Sequence, residues 1–251
     1  MANTKAHIIL VPGAYHQPHH WDPLVKVLES AGYPVSVPRL PSVGSRSLSD
    51  PMAKDTVAIK DAIVKAIDDG AISIVPVFHS YAGIPGFDAL ASLSPYQKAK
   101  IPRVVCISAF IVPQGVSLVD FQAKAPPTYA QAEGDHATIP DPIPVFYNDV
   151  APELAARAAS TLLSMPVEAF TSPAQHEGWA EFPVTYLVCA KDNAIPVADQ
   201  LEMVETCRKC AGRTGGAASV EDVTLQSSHS PMLRMPVETA GVIRRAAGEI
   251  S

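Results

Sequence analysis

A chain of 251 residues, 47% hydrophobic and 18% charged, can bury a large core, as one α/β domain or a domain carrying an insertion. Its net charge of -6 argues against nucleic acid or an anionic membrane, which select basic patches, and leaves a small neutral or weakly charged molecule as the expected partner. The first apolar run, 8–11, ends at Pro12-Gly13, too short for a signal-peptide core or a membrane span, so cytoplasmic residence is expected.

Short β-branched runs alternate with helical patterns along the chain, the signature of a parallel sheet with crossover helices. Strands are predicted at 7–11, 35–38, 72–78, 104–108, 184–189 and 223–225, and helices at 21–32, 55–69, 198–210 and 236–247. The strands are apolar almost throughout, which implies burial on both faces. The stretch from about 112 to 180 breaks the rhythm. It holds nine prolines and one helical pattern, 153–163, with no evident strand. It reads as a lid over the carboxyl edge of the sheet, inserted into a single domain whose core is 1–111 and 181–251.

The run 72–83 breaks sharply at His79-Ser80-Tyr81. A strand that turns abruptly into a helix exposes the corner side chain and frees neighbouring backbone N–H groups, which is how a serine becomes a nucleophile. Ser80 is the candidate. Phe78 and Ala82 stand where glycines are usual around such a serine; the large Phe78 is expected to crowd the turn, and Pro76 is a second irregularity in a central strand. Asp192, directly after a β run, is the candidate acid, and His229, between the last strand and the last helix, the candidate base. Asp199 falls within a helix pattern and should point elsewhere. Backbone N–H groups of Ala14, on the loop opened by Gly13, and of Tyr81 are the candidate oxyanion donors.

His16, His19 and His20 lack carboxylate or thiolate companions at ligand spacing, so they read as loop-stabilising and no metal is expected. Cys207 and Cys210 form a lone C-x-x-C on a helix and read as packing neighbours; Cys106 and Cys189 lie in strand patterns and read as buried.

Val-Pro-Gly-Ala-Tyr-His with Trp21, His-Ser-Tyr-Ala-Gly, Ser-Ala-Phe at 108–110, Cys-Ala-Lys-Asp-Asn-Ala-Ile-Pro and Ser-Ser-His-Ser-Pro-Met together resemble the α/β-hydrolase superfamily. The resemblance is to the branch of plant methyl-ester esterases and hydroxynitrile lyases. It implies an α/β-hydrolase fold with Ser80 as nucleophile, Asp192 as acid, His229 as base and Ala14 and Tyr81 as oxyanion donors, without a cofactor. Lyases of that branch carry Thr where Gly13 stands and Lys where Ser230 stands, so the resemblance implies hydrolysis of a carboxylic ester, lactone or thioester through an acyl-enzyme. A lyase or cyclase acting on a carbon-carbon bond, and an inactive binding protein, are the alternatives. Tyr15, His16, Phe110, Phe146, Tyr147 and Trp179 are the expected pocket residues, with Phe170 beside them. A homodimer is left open.

Overall fold

The computed structural model describes residues 5–211 and 219–249. Among them, six strands form one parallel sheet: β1 (His7–Val11), β2 (Val35–Ser36), β3 (Ile74–His79), β4 (Val104–Ile107), β8 (Val184–Cys189) and β9 (Val220–Leu225), in the order β2-β1-β3-β4-β8-β9. Three shorter strands between β4 and β8, namely β5 (Gln131–Glu133), β6 (His136–Thr138) and β7 (Met165–Pro166), belong to a separate sheet. Every residue of β3, β4 and β8 is buried, as expected of strands covered on both faces. β9 is an edge strand that exposes Glu221 and Asp222, charges that blunt an edge against pairing with another chain.

Pro76 sits in the middle of β3 and still fits. Ile74 N–H donates to Lys100 O on the β4 side at 2.9 Å, so by alternation the missing donor of Pro76 also faces β4. Registered pairing with β4 starts only at Val77–Val105, so no ladder bond is lost.

Helices cover both faces. In α1 (Asp22–Ser30), Leu24 and Leu28 are buried one turn apart; in α2 (Pro51–Asp68), Met52, Asp55, Ile59 and Ile63 form the inward stripe. α2 begins four residues earlier than the sequence pattern suggests, because Pro51 is pre-shaped for a first helical turn and Asp50 turns the chain at φ 50. α3 (Gly83–Ala91) follows β3 through a single turn of 3-10 helix. The later helices Val197–Ala211 and Pro236–Ala246 lie where the pattern puts them; Cys207 is buried in the first, and the side chain of Cys210 lies outside the described residues.

The chain leaves the sheet after β4 and returns at β8. Within this insertion a three-stranded antiparallel sheet appears where no strand is legible from sequence: β5 (Gln131–Glu133), β6 (His136–Thr138) and β7 (Met165–Pro166). Two- and three-residue strands give no usable periodicity, which is why they escape a pattern reading. Among the described residues no helix is long and apolar enough to cross a membrane.

Phe78 does not crowd the turn after β3. Its ring is fully buried and meets Phe87 edge-on at 5.4 Å, in space vacated by Gly86 of α3. A Cβ on Gly86 would lie 2.7 Å from the ring. Gly86→Ala should therefore lower unfolding free energy by about 1–3 kcal/mol in urea titrations, the range for overpacking, and combination with Phe78→Leu should recover part of the loss. Additive losses would show that the two sites do not share this space.

Candidate active site

The carboxyl edge of the parallel sheet collects the candidate residues. Ser80 follows β3 at φ 54, a left-handed conformation that is strained for a residue with a Cβ. Its carbonyl accepts the Phe110 N–H at 3.0 Å, which ties the corner to the loop after β4. On the other side the loop after β1 closes in at Gly13, where a Cβ would stand 2.8 Å from Ser80 Cβ and 2.9 Å from His79 Nδ1. A larger residue there would force Ser80 or His79 to shift.

His79, immediately before the serine, donates Nε2–H to the carbonyl of His229 at 2.8 Å and so holds the loop after β9 against β3. Burial, with the neighbouring His229 and His16, pushes its pKa well below the usual imidazole range, so the ring is neutral. The Trp21 ring packs edge-on against it.

His229 and Asp192 are both buried, and His229 Nδ1–H donates to Asp192 Oδ2 at 2.7 Å. The same oxygen accepts Ser108 Oγ–H at 2.5 Å, and Oδ1 accepts the backbone N–H groups of Ala194 at 2.7 Å and Ile195 at 2.9 Å. A buried carboxylate needs such a set of donors, and these fix its orientation. Ser108, at φ 41 on the end of β4, is the member of this group that sequence reasoning misses as a functional residue. Its signals are the Ser-Ala-Phe motif, to which no role is attached in the sequence, and a hydroxyl at the end of a strand that pairs with the strand leading to Asp192.

The backbones of Ala14 and Tyr81 flank Ser80. The Tyr81 side chain turns away from the site, and its hydroxyl donates to Asp55 Oδ2 at 2.9 Å. Asp55 also accepts Ser42 N–H at 2.9 Å and Ser42 Oγ–H at 2.5 Å. Burial pushes the Asp55 carboxyl up to about 6, with these hydrogen bonds opposing.

A cavity of about 430 Å³ opens over these groups, and Ser80, His229, Ala14 and Tyr81 all line it. The remaining walls are mainly apolar, and among the described residues no Lys, Arg, Asp or Glu belongs to them. Of the expected pocket residues, Tyr15, Phe110 and Phe146 line the cavity. His16, Tyr147 and Trp179 do not, which corrects the sequence expectation. His16 Nδ1–H donates to Ala14 O at 2.7 Å, and its Nε2 accepts the Tyr147 hydroxyl at 2.8 Å. The pair therefore stands behind the loop and buttresses it, with His16 held neutral by burial. Trp179 is buried with its indole N–H on Val112 O at 3.2 Å. Leu118, Tyr129 and Val167 also line the wall, and sequence reasoning misses them because they sit on short elements without a motif; Ile195, within the Asp192 motif, lines it too. His20 donates Nε2–H to Ala158 O at 3.0 Å, and His19 meets Thr161 Oγ1 at 2.9 Å; both histidines fasten their loop to the insertion.

Segment 144–149 of the insertion is hydrogen-bonded to the loops that carry Ala14, Asp192 and His229. Asn193 Nδ2–H donates to Pro144 O at 2.8 Å and Asn148 Nδ2–H to Lys191 O at 3.1 Å, on either side of Asp192. Asp149 Oδ2 accepts Ser228 N–H at 3.0 Å, one residue before His229, and Tyr147 holds His16.

Serine after β3, carboxylate after β8 and histidine after β9, on a parallel sheet with flanking helices, is the arrangement that defines an α/β hydrolase. A family model described as the alpha/beta hydrolase family matches residues 8–242, and the chain belongs to that family. It is 33% identical to Alpha/beta hydrolase nvfD of Aspergillus novofumigatus, over 98% of each chain. Among solved structures it is similar to a pyrethroid hydrolase of Sphingobium faniae, with a TM-score of 0.73 and 23% identity over 97% of both chains. It is also similar to the methylesterase MES16 of Arabidopsis, with a TM-score of 0.71 and 21% identity, covering 97% of this chain and 99% of that one.

The Asp55 network yields a pH test of stability. A carboxyl whose folded pKa of about 6 exceeds its unfolded value of 3.8 loses its proton first in the unfolded chain, so its contribution to stability falls as pH rises from about 4 to about 6 and is constant above. Asp55→Asn lacks this decline. Its stability relative to the parent should improve by up to about 3 kcal/mol between pH 4 and pH 7, and taking the difference cancels other titrating groups. Parallel pH curves would show that Asp55 titrates normally in the fold.

Proposed function

We propose that the protein hydrolyses carboxylic esters of small-to-medium, uncharged and largely apolar molecules, as methyl esters, lactones or thioesters, through an acyl-enzyme on Ser80. The observation that carries this reading is the strained Ser80 corner and the buried His229–Asp192 pair facing one apolar cavity.

In this reading His229 Nε2 takes the Ser80 Oγ proton as the oxygen attacks the carbonyl carbon. Asp192 holds Nδ1–H and so keeps the tautomer that leaves Nε2 free to accept. Neither Ala14 N–H nor Tyr81 N–H has an acceptor among the described residues, so both serve the developing oxyanion. The proton on Nε2 passes to the leaving alkoxide, which departs as alcohol. Water, deprotonated by His229, then attacks the acyl-enzyme and releases the acid and Ser80. The chemistry calls for no cofactor. The names of similar proteins, a pyrethroid hydrolase and a methylesterase, support ester cleavage as the reaction class.

The geometry at Gly13 favours hydrolysis over the carbon-carbon lyase alternative. A threonine at this position, which the resemblance associates with cyanohydrin cleavage, would drive its Cβ into Ser80 and His79. Ser230, buried next to His229, supplies no lysine charge.

An alkyl fluorophosphonate should label the protein at Ser80, as mapped by peptide mass spectrometry. Ser80→Ala should abolish labelling and lower ester kcat by about 10⁴-fold or more. Labelling at another residue, or unchanged turnover in Ser80→Ala, would sink the proposal.

A further inference from the structure

Tyr15 directly follows Ala14 and sits at φ 68, a costly backbone conformation for an aromatic residue. Two hydrogen bonds fasten it there: its N–H donates to Met165 Sδ at 3.1 Å, and its carbonyl accepts Leu163 N–H at 3.0 Å. Its ring lies between Phe146 and Phe170, with centroids 6.4 and 5.7 Å away, and all three rings line the catalytic cavity.

The hydroxyl is the informative group. The protein has seven tyrosines. The hydroxyls of Tyr33, Tyr81, Tyr129, Tyr147 and Tyr186 each have a protein partner, and Tyr96 is 66% exposed. Tyr15, only 6% exposed, is the one buried tyrosine whose hydroxyl has no partner among the described residues. Its Oη is accessible rather than sealed, so it has no protein partner and solvent is what a ligand displaces there, whereas the hydroxyls of other buried tyrosines bond to protein. Strain and an accessible hydroxyl with no protein partner, at a residue that adjoins Ala14 and lines the cavity, mark a group whose partner arrives with the ligand.

We propose that Tyr15 Oη donates a hydrogen bond to a second, uncharged acceptor oxygen of the substrate, making the site selective for esters that carry a ketone oxygen over plain alkyl esters. The identity of the reacting bond rests on the ester-hydrolysis reading above; the hydrogen bond itself does not. Burial holds the phenol well above its usual range, so Tyr15 remains a donor through neutral pH. Among the described residues the cavity wall has no Lys or Arg, so a charged acceptor would enter the site uncompensated and an uncharged one is favoured.

The test compares methyl hexanoate with methyl 3-oxohexanoate and methyl 5-oxohexanoate. In the parent, kcat/KM should favour one oxo ester, and Tyr15→Phe should reduce that preference about tenfold. A ratio between substrates is insensitive to the fraction of variant that folds. Calorimetric binding of the same esters to Ser80→Ala and to the Ser80→Ala/Tyr15→Phe double variant should show the same tenfold change without turnover. Equal ratios with Tyr and Phe at position 15 in both measurements would overturn the proposal. Binding ratios that depend on Tyr15, without turnover of any ester by the parent, would support the hydrogen bond and overturn the hydrolase reading alone.

Discussion

The left-handed backbone of Ser80 is the constraint around which the rest of the molecule is arranged. A conformation of this kind costs on the order of 1–3 kcal/mol and persists only where its surroundings over-determine it. Three elements do so here. The Phe110 N–H holds the Ser80 carbonyl from the β4 side, Gly13 lets the β1 loop close on its Cβ, and α3 starts one turn later with Gly86 accommodating Phe78. The same three elements bring Phe110, the Ala14 N–H and the Tyr81 N–H around the serine hydroxyl.

Burial does the rest. Three buried polar side chains behind the cavity fix its geometry: Asp192 accepts from His229, Ser108 and two backbone N–H groups, His79 holds the His229 carbonyl, and His16 holds the Ala14 carbonyl. Desolvation keeps His79 and His16 neutral, so neither places a positive charge beside His229. Segment 144–149 gives the insertion a second role besides roofing the cavity. It is hydrogen-bonded to the loops that carry His16, Asp192 and His229, so their spacing depends on the insertion as well as on the sheet. Small displacements of such groups are expensive in rate, which gives these bonds a physical purpose.

The sheet was legible because its central strands are continuous apolar runs; 7–11 and 184–189 are read to the residue. β9 begins earlier than its pattern shows, since Glu221 and Asp222 hide an exposed edge strand. Ser80, Asp192 and His229 were legible because each follows a strand in a fixed chain order. Phe78 looked damaging because its compensation, Gly86, lies on the next helix and carries no motif. The pocket was only half legible: aromatic residues near the cleft were easy to name, but whether a ring faces the cavity or stands behind it depends on partners such as His16 with Tyr147. Ser108 and the insertion strands left no periodic trace.

The most direct measurement is a crystal structure of the protein after reaction with an alkyl fluorophosphonate. The account predicts a phosphorus–Oγ bond on Ser80, with the phosphoryl oxygen within hydrogen-bonding distance, about 2.7–3.1 Å, of both the Ala14 and Tyr81 N–H groups, and Ser80 still in the left-handed region. An adduct whose phosphoryl oxygen points away from both donors, or a Ser80 that relaxes to an extended backbone, would contradict it.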